Sequence, residues 1–484
     1  MCSRGFDGPR RPVRTLVERW IVTTFALDVD QWAQENFGAC DFGHARRTQR
    51  AVRFARQMAE HPDGSTPDQT ENWAALKAGY RLIKRPEVTF PAVAGPHWRL
   101  TRERASGTVL LIGDTTEIDF GIHRRVTGLG PTGDGRGRGF HLHNCLMVNP
   151  ETSEIIGLAG QELFYRKPAP KGENSYRTSQ RRGRESEVWG RLIEKIGPPP
   201  EGVRYVHAFD RGADSQDVFC ELQQQQGDWV IRAAQLHRRV HLEQATGRGT
   251  RRALREVLAA QPVCGTYELE IRAAQDQPAR RAKLAVRFAR VTIPATKRRT
   301  PLQRAVNFQE LTQWVVEARE IDPPRGATPV CWVLWTSLPV ENFDQAWQVL
   351  TYYEQRWLIE EFHKALKTGC QLESRQYQSA SRLEAVAGFL SVLAVRLVKL
   401  KSIARTAPET PAEGAVPRRW LIVLRALRRK PITTVRDFFR HLAGLGGFLM
   451  RKGDGEPGWI TLWRGLDKLL LALRGYAAKN ESIG

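Results

Sequence analysis

The spacing of apolar positions shifts along the chain and predicts helical and strand-rich blocks. Residues 28 to about 100 carry helical spacing. In "GHARRTQRAVRFARQMAEH", Val52 and Ala55, with Phe54 and Met58 nearby, sit among Arg46, Arg47, Arg50, Arg53 and Arg56. From about residue 107 short strands are expected. "TVLLIGD" is an apolar run closed by Gly113 and Asp114, and "GFHLHNCLMVNPETSEIIGLAG" reads as two strands joined by a turn at Asn149 and Pro150. "VRYVHAFDRGADSQDVFCEL" predicts a strand ending at Asp210, then a helix capped by Asp214 or Ser215. Further strands are expected at "WVIRA", "TYELEIRA", "KLAVRFARVTIPA" and "PVCWVLWTS", with "RRVHLEQATGRGTRRALREVL" and "TKRRTPLQR" as basic connections. Lying between the Asp210 strand and the next long helix, this block has the look of an insertion.

That helix is "TYYEQRWLIEEFHKALKTG", Thr351 to Gly369. It has no Pro and few β-branched residues, and Gly369 marks its end. At about 100° per residue, Arg356, Glu360 and Lys367 fall within roughly 60° of Tyr353. Leu358, Ile359, Phe362, Ala365 and Leu366 cluster on the opposite side, within about 120°. An amphipathic helix with a solvated, ion-paired face gives the same pattern. The remaining chain is mostly helical, with "ARTAPETPAEGAVPRR" as a linker. "WITLWRGLDKLLLALRGY" carries an apolar stripe suited to packing on a partner or on its own domain.

Composition narrows the class. With 484 residues the chain exceeds one ordinary domain, and 41% hydrophobic residues exclude wholesale disorder. The net charge of +22 is dominated by Arg, whose fork matches phosphate oxygens, so nucleic acid is the leading partner and an acidic membrane surface the weaker one. The longest apolar run, Ala385 to Val395, is too short to span a bilayer. The first residues lack a clear cleavage site, so no signal peptide is read. The 7 Cys form no CxxC pair, which argues against a zinc ribbon or a disulfide framework and for a reduced, cytosolic setting. "PTGDGRGRG" lacks the strand–helix context of a phosphate cradle and reads as a flexible basic loop.

Asp114 and Asp210 each end a strand-like run. Strand ends on one edge can bring two carboxylates together, and the helix bearing Glu360 can add a third. Three hard oxygen ligands suit Mg2+ or Mn2+. Two such ions about 4 Å apart support in-line phosphoryl displacement. An isolated Asp at a strand end is more often a cap or turn residue, and spacing alone leaves both readings open.

A resemblance bears on that choice. Tyr353, Arg356, Glu360 and Lys367 fit every position of the Tyr, two residues, Arg, three residues, Glu, six residues, Lys signature. It belongs to the DDE transposases of the bacterial insertion-sequence group typified by the transposon-five transposase. "GDTTEIDF" resembles that family's first-aspartate motif and "AFDRGADSQDVF" its second. "DWVIRA" resembles the following strand and places Arg232, and "CWVLWTSLPVE" resembles the segment with the base-flipping Trp and places Trp332. "GHARRTQR" and "ALKAGYRLIKRPEV" are similar to the DNA-binding region. "LGGFLMRKG" and the "W…LWRG" ending are similar to the C-terminus.

The resemblance runs from about residue 28 to the end. It implies an α/β fold with a ribonuclease H-like catalytic core. The expected parts are an unassigned extension at 1–27, a helical DNA-binding domain at 28–104 and a first core segment at 105–227. A β-rich insertion at 228–340, a second core segment at 341–402 and a C-terminal helical dimerisation domain at 403–484 complete it. Asp114, Asp210 and Glu360 would be catalytic and hold Mg2+, with Mn2+ able to substitute, as two ions; Glu361, about 100° from Glu360, is the weaker candidate. Tyr353, Arg356, Lys367, Arg232, Arg46, Arg47 and Arg50 would contact DNA. Trp332 would stack on a flipped base, a contact of about 1–3 kcal/mol, although a core aromatic on a strand has the same pattern.

The implied activity is cut-and-paste transposition through a hairpin intermediate. A homodimer would hold double-stranded transposon ends and target DNA in a bacterial cytoplasm, associated with the nucleoid and with no membrane. The Gly/Arg loop at 121–139 and residues 1–27 depart from the family pattern. The runners-up are a ribonuclease H-like nuclease without strand transfer and a non-catalytic DNA-binding repressor derived from a transposase. Short inverted repeats around the coding region, flanked by a target duplication, would separate them.

Overall fold

Among the described residues, strands between residues 107 and 336 hydrogen-bond into one sheet of 12 strands. The computed structural model describes residues 29–121, 126–166, 172, 187–244, 247–271, 279–295, 299–405, 408–451 and 453–481. Residues 1–27, the extension of unassigned role, lie outside the described residues, as does part of the loop at 121–139. The chain divides into two compact units. One holds residues up to Pro96, Ala365–Arg375 and everything from Ala385; the other holds His97–Lys364 and Gln376–Glu384.

The sheet belongs to the second unit. β1 (Gly107–Asp119) pairs antiparallel with β3 (Gly137–Val148). β2 (Gly130–Thr132) and β4 (Ile155–Phe164) both pair with β3. β5 (Val203–Phe209) runs parallel to β1, and β6 (Asp228–Arg232) parallel to β5. The sheet then continues antiparallel through β12 (Cys331–Thr336), β11 (Glu310–Glu320), β10 (Arg280–Pro294), β7 (Arg239–Gln244) and β8 (Gly247–Ala253). β9 (Gly265–Ile271) pairs with β10. The strands of residues 228–340 thus extend the sheet that carries Asp114.

Local sequence explains these elements. β3 is buried along nearly its whole length, so it tolerates few charges, and its buried His143 and Asn144 are hydrogen-bonded. Among the helices preceding and following β5, α5 is Glu187–Ile196 and α6 is Gln216–Gln224; Ser215 caps α6, its hydroxyl accepting from Val218 N at 3.3 Å. Trp189, Ile193, Phe219 and Leu222 from these helices form one core with Phe209, Trp229 and Trp335.

Several expectations need correction. Asp114 does not end its strand, because β1 continues to Asp119, held by pairing with β3 as far as Gly139. "PTGDGRGRG" is a hairpin: β2 pairs with Gly137–Gly139, and Gly133 (φ 54°) and Gly135 (φ 95°) supply the left-handed turn. The supposed basic connection after Arg238 forms β7, β8 and α7 (Leu254–Ala259), its Val240, Leu254, Val257 and Leu258 joining the core while Arg251, Arg252 and Arg255 stay exposed. "TKRRTPLQR" contains the short helix α8 (Pro301–Ala305), started by Thr300 and Gln303 as a capping box. β11 was not expected; its inward positions Leu311, Gln313 and Val315 include a polar residue, which breaks the apolar alternation that signals a strand.

The first unit is helical. It contains α1 (Val29–Phe37), α2 (Ala45–Glu60) and α3 (Trp73–Ile83); α4 (Phe90–Glu103) crosses the unit boundary at Pro96. From α11 (Ala380–Arg405), Phe389 stacks on Phe37 at 5.1 Å and meets Phe54 edge-on at 5.6 Å. Arg375 is buried and donates to the carbonyls of Pro62, Gly64 and Cys370 and to Gln69, which fixes the 61–69 turn. The expected linker at 404–419 includes the short helix α12 (Ala412–Ala415), because Ala412 and Ala415 find burial. α13 (Arg418–Arg428), α14 (Val435–Leu445) and α15 (Trp459–Glu481) follow. α14 and α15 approach so closely that a Cβ on Gly465 would lie 1.8 Å from the Leu442 carbonyl oxygen. No helix among the described residues is long and apolar enough to cross a membrane.

Phe389→Ala would empty the site shared by Phe37 and Phe54. The expected loss is about 3–5 kcal/mol of stability, read as a lowered thermal midpoint for the helical signal. An unchanged midpoint would show that these rings do not hold the helices together.

Candidate active site

Register brings two carboxylates level. β1 and β5 are parallel with Ile112 opposite Ala208, so two residues further on Asp114 stands beside Asp210. Gly113 permits this, since a Cβ there would lie 2.6 Å from the Phe209 ring. Asp210 follows β5 directly and caps a single turn, its Oδ1 accepting from Gly212 N at 2.8 Å. Asp114 Oδ1 accepts from Thr115 N at 2.7 Å.

The third acid arrives on a helix whose geometry departs from the expected single one. α9 (Phe343–Glu354) passes through a tight turn at Gln355–Trp357 into α10 (Leu358–Lys364), and the chain then widens into a π turn at Ala365–Gly369. There Cys370 N donates to Ala365 O, five residues back, at 2.8 Å. The 100° rule therefore stops applying before Lys367, whose Nζ pairs with Glu373 at 3.2 Å. Leu358, Ile359, Phe362, Ala365 and Leu366 are all buried, as their spacing predicts.

Arg356 sits between the acids. Its Nη1 lies 3.2 Å from Asp114 Oδ2 and its Nη2 2.6 Å from Glu360 Oε1. Burial pushes the Asp114 carboxyl up to about 6, and the negative charge of Asp210 pushes the same way, against the Thr115 amide and Arg356. Burial alone would lower the Arg356 guanidinium; Tyr353, the bond to Glu360 and the Asp114 charge hold it above its ordinary value.

Among the described residues no three Asp, Glu, His or Cys side chains already converge on a metal position. The donor chemistry nevertheless fits a divalent cation. All candidate donors are hard carboxylate oxygens, and the repulsion acting on Asp114 is what a cation would relieve. Asp114, Asp210 and Glu360 would hold it, with Arg356 turned aside.

The other candidates divide. Tyr353 was expected on the open face but is buried, edge-on to Trp332 at 5.8 Å and 6.0 Å below the Arg356 guanidinium. Trp332, on β12, is half-buried. Arg232 ends β6 and donates to the Cys331 carbonyl at 3.3 Å. Glu361 is half-buried, next to the exposed Glu360. On α2, Arg46 is exposed. Arg47 donates to Phe42 O at 2.7 Å and pairs with Glu87 at 3.0 Å, while Arg50 donates to the Ala75 carbonyl and is shifted down by burial and by Arg53.

Sequence reading missed Thr115, His143, Asn144 and His363. Thr115 Oγ1 and His143 Nδ1 are 2.7 Å apart beside Asp114, and Asn144 meets His363 at 3.0 Å. The available signal was "FHLHN", polar residues on an otherwise apolar strand.

Because the folded Asp114 titrates above its unfolded value of about 3.9, its ionisation destabilises the fold as pH rises from about 4 through 6. Asp114→Asn removes that penalty. Without divalent ions, the variant should gain up to about 3 kcal/mol over wild type at pH 8 and nothing below pH 4. Thermal unfolding across that range checks it, and a pH-independent difference would refute the shift.

Three family models match the chain. A transposase DNA-binding model covers residues 29–88, a transposase DDE domain model residues 174–395, and a transposase Tn5 dimerisation domain model residues 392–482. The DDE match includes Asp210 and Glu360, while Asp114 lies on β1 before it begins. The three matches support an enzyme that binds DNA and forms a homodimer, and the DDE family implies divalent metal use. In this order, DNA-binding, DDE and dimerisation regions identify the chain as a member of the Tn5-type DDE transposase family.

Proposed function

We propose that this chain is a cut-and-paste transposase that cleaves transposon ends through a hairpin and joins the 3′-OH ends to target DNA. The observation that carries the reading is the meeting of Asp114 and Glu360, distant in sequence, on one guanidinium, with Asp210 felt at the same carboxyl. A ribonuclease H-like core is supported by the antiparallel β4–β3–β1 run followed by parallel β5 and β6, with acids on the central β1 and after β5. Two Mg2+ ions held by these acids would activate the attacking oxygen and stabilise the leaving one.

The chain's own residues do the rest. Arg356 balances the acids in the free protein and is within reach of a strand phosphate once they are otherwise neutralised. Trp332, braced edge-on by Tyr353, offers its uncovered side to a flipped base. Lys367 and Arg232 would contact the DNA backbone, and Arg46, Arg47 and Arg50 the transposon end. The domain boundaries given above, 28–104, 105–227, 228–340, 341–402 and 403–484, go with this reading. So does a synaptic homodimer acting on the bacterial nucleoid, in which one subunit's core acts on the end held by the other.

The test is cleavage of a DNA fragment carrying the gene's own flanks, with Mg2+ or with EDTA. Wild type should yield metal-dependent hairpins at one end position, and Glu360→Ala none. Trp332→Ala should retain the first nick and lose hairpin yield about 5- to 150-fold, the equivalent of the stacking contact. DNA binding without a cut in wild type would favour the repressor reading.

A further inference from the structure

The hydrogen bonds beneath Asp114 run in one direction. An indole N–H can only donate, and Trp98 Nε1 lies 3.1 Å from Gln161 Oε1. The Gln161 amide is thereby oriented, and its Nε2 donates to Asn144 Oδ1 at 2.6 Å. Asn144 Nδ2 donates to the Leu142 carbonyl at 3.2 Å and faces His363 Nε2 at 3.0 Å. His363 must therefore accept at Nε2 and carry its proton on Nδ1. Asn144 and Gln161 are almost completely buried, so no water is at hand to replace a lost partner.

The chain's two ends matter. Asn144 is the cross-strand partner of Asp114 in the β1–β3 register. His363 lies on α10 three residues after Glu360, nearly one turn along the same helix. Apolar packing through Leu358, Ile359 and Phe362 does not by itself fix a helix's rotation, because small turns cost little apolar contact. A hydrogen bond of fixed polarity at His363 removes that freedom.

We propose that Trp98, Gln161 and Asn144 are positioning residues that set the rotation of α10 through His363, and so the placement of Glu360 relative to Asp114. This rests on the reading of Glu360 and Asp114 as acids that share a divalent ion. Such outer partners typically change metal affinity by about 10–100-fold when removed.

The experiment titrates the full-length protein with Mn2+ by electron paramagnetic resonance, without DNA. Asn144→Leu keeps the volume and removes the donors, and should weaken Mn2+ binding at least about tenfold. His363→Gln, whose amide oxygen can accept the same bond, should stay within about threefold of wild type, which a merely structural packing role does not predict. If Asn144→Leu does not fold, Gln161→Met breaks the chain one link further away. Wild-type Mn2+ binding in a folded Asn144→Leu, alongside loss in Glu360→Ala, would overturn the proposal.

Wild-type binding in Glu360→Ala as well would instead refute the metal reading. The positioning role would then be decided by hydrogen exchange over residues 358–364. Faster exchange in Asn144→Leu than in wild type upholds it, and unchanged exchange overturns it.

Discussion

Like charges in a poorly solvated corner need a counter-charge. Asp114 is buried, Asp210 stands level with it just past the end of the neighbouring strand, and Glu360 comes from a helix; burial first, and then the Asp210 charge, lifts Asp114 to about 6. Arg356 is the cation that makes the arrangement tolerable in the free protein. The same repulsion makes the site suited to a divalent ion. A guanidinium that pairs with Asp114 and Glu360 competes with an ion for their negative charge, so ion binding would weaken the hold of the acids on Arg356.

The surrounding fold serves that corner. Parallel pairing of β1 with β5, with Ile112 opposite Ala208, sets the two aspartates at one level. Glycine at 113 lets Phe209 close underneath. The polar layer of His143, Asn144 and Gln161 lies within a largely buried strand pair, and each of the three is hydrogen-bonded. Beyond β6, the sheet adds β12, which brings Trp332 against Tyr353 and so to within one residue contact of Arg356.

How much of this was legible in the sequence depended on whether the determinant was local. Periodicity located the buried side of α10, and Ser215 was a recognisable cap, because both effects act within a turn or two. Strand existence at β3, β4, β5 and β6 was equally plain. Strand length was not: β1 runs past Asp114 only because β3 is there to pair with it. The β7–β8 hairpin was hidden because its many arginines masked a few core positions, Val240 and Leu254 among them. The uniform helical wheel failed at Gln355–Trp357 and Ala365–Gly369, where backbone hydrogen bonds change their span. Tyr353 shared a computed face with Arg356 yet lies buried, since β12 covers it; no spacing rule contains that strand. Asn144 and His363 are 219 residues apart, and only the folded chain shows that they meet.

The proposed centre makes Asp114, Asp210 and Glu360 three walls of one ion site. Replacing Mg2+ by Fe2+ and generating hydroxyl radicals with ascorbate and peroxide would cut the polypeptide next to wherever the ion sits. Cuts clustered near residues 114, 210 and 360, suppressed by excess Mg2+, are the result expected from this geometry. Cuts confined to one of the three positions, or to segments containing none of them, would contradict it.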